Sequence, residues 1–92
     1  MNTILISYDL IQPETSNDYK RLIDQIKSYS FWCKPLRSFW LIKTNDSPAT
    51  VRDNLKKYID NNDNLLVMNI TGASWGSYNL DSSVTQWMKT KL

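Results

Sequence analysis

Two spacings of apolar residues alternate along this chain. Residues 3–8 are mostly β-branched, apolar or aromatic, and predict a strand that delivers Asp9 at its end. Residues 12–16 read as a loop carrying Pro13, and Thr15 followed by Asp18 has the spacing of a capping box. Tyr19, Leu22, Ile23 and Ile26 then recur at helical spacing, with Lys20, Arg21, Asp24 and Lys27 on the wet side. From 31 to 44 the pattern is extended again. Pro35 cannot donate to a β-ladder, so the expectation is two pieces, 31–34 and 36–43. Ser47-Pro48 marks a helix start, serine as cap and proline in the first turn. Val51, Leu55, Tyr58 and Ile59 line one side of that helix, and Asn61-Asn62-Asp63 ends it. A strand over 65–70 and a loop over 71–79 follow. Asp81 then caps a last helix whose apolar side is Val84, Trp87, Met88 and Leu92.

Counting the broken middle strand twice gives βαββαβ, the ferredoxin-like plan, with an added C-terminal helix. The fold class is therefore α+β: one domain over 1–92, with a core at about 3–70 and a C-terminal loop and helix at 71–92. Two helices cover one sheet face in this plan. The other face is not patterned for water. Leu66, Met68 and Ile70 oppose Leu65 and Val67, and Phe39 and Leu41 oppose Trp40 and Ile42. A half-wet strand would alternate apolar and polar residues. The last helix or a second subunit is expected to cover this face.

Composition narrows the chemistry. The 92 residues carry a formal charge of +2, well short of a dedicated nucleic-acid binder's basic excess. Histidine is absent and Cys33 is the single cysteine. That removes the usual zinc ligands, a disulfide framework and the Ser–His or Cys–His nucleophile pair. No apolar run reaches transmembrane length and no signal peptide is visible, so the expected setting is cytoplasmic without a membrane partner.

Ile4 to Leu10 resembles the first-strand motif, apolar residues followed by Tyr-Asp-Ile/Leu, of the small CRISPR-associated protein 2 family. It is similar also to the related virulence-associated protein D toxins. Leu36-Arg37-Ser38-Phe39-Trp40-Leu41-Ile42 resembles their Ser-aromatic-apolar strand, and Asp63-Asn64-Leu65-Leu66-Val67 their acidic lead into the fourth strand. The likeness spans roughly residues 3–70 and its motifs are short. It implies a ferredoxin-like homodimer in which the two first-strand aspartates approach each other. It implies also metal-dependent nuclease activity on DNA or RNA, or a non-catalytic scaffold role in spacer integration. Asp9 is the one functional position carried over. The chain departs from the family in keeping only Lys20-Arg21 of an arginine-rich helix start. It also lacks the glutamate after the second motif, and it has a loop and helix where many members add a pairing strand.

Asp9 is thus a candidate catalytic residue and magnesium ligand; its plainer role is to cap the turn before Pro13. One carboxylate per subunit suffices for magnesium, which keeps several waters. Lys34, Arg37 and Lys43 are candidate phosphate contacts on nucleic acid, or charges guarding an edge strand. Trp75, between Ser74 and Gly76, plugs a neighbouring surface or awaits a protein partner. Trp32, Trp40 and Trp87 are candidates for base stacking or for packing. Ser7, on Asp9's side of the strand, has no histidine to activate it, and Cys33 beside Lys34 is expected as a buried thiol.

Overall fold

Backbone hydrogen bonds join four strands, β1 (Asn2–Asp9), β2 (Phe31–Leu36), β3 (Phe39–Thr44) and β4 (Asn64–Asn69), into one sheet. The computed structural model describes residues 1–92. Across the sheet the order is β2-β3-β1-β4 with every neighbouring pair antiparallel. With α1 (Lys20–Lys27) and α2 (Pro48–Leu55) as crossovers this is the ferredoxin-like plan, and α3 (Ser82–Lys91) is the addition.

Alternation in the strands sends Ile4, Ile6, Tyr8, Trp40 and Ile42 to one face, where they meet Tyr19, Leu22, Ile26, Val51 and Leu55 in a closed core. Truncating any of these leucines or isoleucines to alanine costs about 2–5 kcal/mol. Ser47 caps α2 by accepting the Thr50 N–H at 3.1 Å, with Pro48 in the first turn. Asp81 caps α3 through Ser83.

Two local expectations are corrected. Pro35 does not interrupt β2; it lies inside it, at a register irregularity between Cys33 and Leu36. β2 is an outer strand, so a missing N–H there need not break a ladder. The chain reverses instead at Arg37–Ser38, where Ser38 takes a left-handed φ of 58°. Ser16, not Thr15, caps the first helical turn, accepting the Asp18 N–H at 3.2 Å.

On the second face α3 crosses the sheet near β2 and β3. The Lys91 carbonyl at its end accepts from Thr3 Oγ1 at 3.1 Å and from Lys43 Nζ at 2.5 Å. Thr3, Cys33 and Leu41 are consequently buried. The covering stops there: on β4, Leu66 is 56% and Met68 46% exposed.

Candidate functional site

Asp9 is the last residue of β1, paired across the ladder with Asn64 of β4. Its carboxylate is exposed and makes no hydrogen bond or ion pair within the chain. It does not cap the turn that follows. That work falls to Asp63, whose Oδ1 accepts the Ile11 N–H at 2.9 Å and the Tyr19 hydroxyl at 3.1 Å. Asp63 Oδ2 accepts the Asp60 N–H at 2.7 Å. Burial alone would push this carboxyl up, but the two N–H groups and the Tyr19 hydroxyl outweigh it and hold Asp63 below the ordinary carboxylate range.

Alternation places Ser7 and Leu5 beside Asp9 on the α3 side of the sheet, and the ladder sets Leu66 opposite Ser7 and Met68 opposite Leu5. A free carboxylate therefore borders a strip of uncovered apolar side chains on an outer strand. Ser7 Oγ is engaged, donating to the Ser38 carbonyl at 3.0 Å. No group of three or more carboxylate, thiol or imidazole ligands occurs in the chain. Asp9 therefore stands as a single exposed carboxylate at the strand end, with no second protein ligand gathered beside it.

The three candidate phosphate contacts do not gather. Lys34 pairs with Glu14 at 2.7 Å on the helix side of the sheet. Lys43 lies under the end of α3, donating to Thr3 Oγ1 at 2.9 Å and to the Lys91 carbonyl. Arg37 stands exposed in the β2–β3 turn. Trp75 lies at the rim of an apolar cavity of about 240 Å³ between the C-terminal loop, α3 and the β2–β3 hairpin. Trp40 and Trp87 pack as buried and half-buried side chains. Burial pushes the Cys33 thiol up to about 11, so it is a covered thiol and not an activated one.

Sequence reasoning missed Asp63 and Glu14. Asp63 sits in a polar Asn-Asn-Asp run that reads as a helix stop, and nothing local signals its bond to Ile11, 52 positions away. Glu14 accepts from both Tyr8 and Lys34, and Tyr8 accepts the Trp40 Nε1–H at 2.8 Å, a chain assembled only by the fold. No protein-family model matches this sequence, and no solved structure matches the chain.

Proposed function

We propose that this chain acts on nucleic acid as a cytoplasmic homodimer, in the manner of the CRISPR-associated protein 2 and virulence-associated protein D families that it resembles. The observation that carries this reading is the uncommitted Asp9 carboxylate bordering the exposed Leu66–Met68 strip on an outer strand. Two copies meeting along that strip bring two Asp9 carboxylates to one seam. Asp9 is the residue that would hold a magnesium ion there; such an ion makes a bound water more acidic and steadies charge on a phosphodiester. The chain's own part is to fix the strand end. Asp63 pins the turn beyond Asp9, and the Ser7–Ser38 hydrogen bond ties the neighbouring position of β1 to the hairpin.

The test is cleavage of RNA and DNA by wild type and Asp9→Asn with magnesium or manganese, beside light scattering on a sizing column. Metal-dependent cleavage lost in Asp9→Asn from a dimeric protein is the expected result. A monomer, or cleavage untouched by the substitution, overturns it.

A second reading is favoured by the internal use of Lys34 and Lys43 and by Trp75 at the rim of its apolar cavity. Here the same fold is a non-catalytic module that binds a protein through the C-terminal loop. Partner capture lost on Trp75→Ala but kept on Asp9→Asn distinguishes it.

A further inference from the structure

A groove on the helix side of the sheet, away from Asp9, lies between the loop after β1, α1 and β2. It encloses about 430 Å³, within the range of roughly 300–1,000 Å³ typical of small-molecule sites. Most of its lining is polar, but one side is aromatic: Trp32 packs edge-to-face on Trp40, ring centres 5.5 Å apart and planes at 60°. Trp40 is buried and anchored by its Nε1–H to Tyr8, which donates to Glu14, which in turn accepts from Lys34 at 2.7 Å. Trp32 therefore has a rigid backing, yet the residue is itself 38% exposed.

Charge singles out one corner of this groove. Lys20 is paired with Asp24 and Lys34 with Glu14, each at 2.7 Å. Lys27 has no carboxylate partner, and its ammonium sits 5.3 Å from the Trp32 ring centre. A half-exposed flat ring with an unneutralised cation beside it suits a ligand that carries a flat π-system and an anion together. Bases stack on such rings whatever their identity, and a lysine ammonium meets phosphate as a mobile point charge.

We infer that this groove binds a nucleotide, with the base stacked on Trp32 and the phosphate on Lys27. Glu14 and the polar loop beside it face the sugar and base edges. Lys27 ends α1 on a long exposed stem, so its ammonium has room to swing to the rim when a base takes the ring. The nucleotide is either free or the 5′ end of a single strand. The inference stands apart from Asp9 and from the dimer.

Calorimetric titrations with AMP, UMP and adenosine, and with short single strands bearing a 5′-phosphate or a 5′-hydroxyl, test it. Trp32→Ala is expected to weaken nucleotide binding about tenfold or more, with Trp32→Phe restoring most of it. Lys27→Glu is expected to weaken AMP without weakening adenosine, while Asp9→Asn alters neither. Binding of AMP assigns a free nucleotide; binding of the 5′-phosphorylated strand alone assigns a strand end. The inference is overturned if millimolar AMP and UMP and the phosphorylated strand all fail to bind. It is overturned equally if Trp32→Ala, folded by circular dichroism, binds like wild type.

Discussion

Replacing Asp63 with asparagine separates the charge and hydrogen bonding of this residue from its shape. The native carboxylate serves three donors: Oδ1 takes Ile11 N–H and the Tyr19 hydroxyl, and Oδ2 takes Asp60 N–H. Asparagine keeps one oxygen. Whichever way the amide turns, its NH₂ group faces a backbone N–H at a site only 9% exposed. A buried donor left unsatisfied costs about 1–3 kcal/mol. Ile11 and Asp60 are themselves exposed, so water recovers part of this, and the loss falls at about 1–2 kcal/mol. For a domain of this size that lowers Tm by about 5–15 °C.

The pH dependence gives a second, sharper readout. Asp63's carboxyl is held below its ordinary value in the folded state, so the folded protein binds this proton less readily than the unfolded chain. Its contribution is fully present above the unfolded value of about 4 and fades as pH falls through the folded value. Asparagine has nothing to titrate. The stability gap between wild type and Asp63→Asn is therefore largest at pH 7 and narrows below about pH 4. Urea unfolding at pH 7, 5, 4 and 3 measures it. A gap that is absent at pH 7, or constant down to pH 3, refutes the assignment of Asp63 as an ionised clamp on the turn after β1.

Charging the exposed β4 strip, with Leu66→Lys and Met68→Lys together, is expected to turn a dimer into a monomer on a sizing column. Each change should move Tm-derived monomer stability by no more than about 0.5 kcal/mol, because both side chains face outward. Cys33, with its thiol pushed up to about 11, should react with a disulfide reagent at pH 8 far more slowly than in urea, because about one thiol in a thousand is ionised there. Lys43→Met removes a donor from the Lys91 carbonyl and should loosen α3, costing about 1–2 kcal/mol and speeding Cys33 modification.

Much of the fold is legible because its signals are local. The alternating 3–8 stretch, the Ser47-Pro48 start and the Asp81 cap depend on neighbours in sequence, and each appears in the structure. The hairpin is less so. Arg37–Ser38 carries no glycine or asparagine to mark a left-handed turn, so Pro35 looks like the break although an outer strand accommodates it. The candidate sites are legible only in part. Asp9 stands out at a strand end, but that its carboxylate is uncommitted follows from Asp63 taking the turn, a contact spanning 52 positions. Trp32, Lys27 and Glu14 come together only when the β1–α1 crossover lays its loop beside β2, so no spacing in the sequence marks their groove.

The division of the second sheet face follows from dimensions. Four strands about 4.8 Å apart put the outer strand axes roughly 14 Å from each other, while a helix with its side chains is about 10 Å across. One helix cannot cover both flanks. Here α3 is fixed to β1 and β3 through the Lys91 carbonyl, and Lys91 Nζ lies 4.6 Å over the Phe31 ring of β2. Sliding it toward β4 would break those hydrogen bonds and uncover Thr3, Cys33 and Leu41 in order to cover two side chains. The exposed flank is also undefended: β4 reads Asn-Leu-Leu-Val-Met-Asn, with no charge and no proline to deter another strand. None of the chain's eleven lysines and arginines lies on β4, so nothing on its uncovered outer strand repels a second chain. Asp9, opposite Asn64, stands at the end of the β1–β4 ladder where that uncovered strand begins.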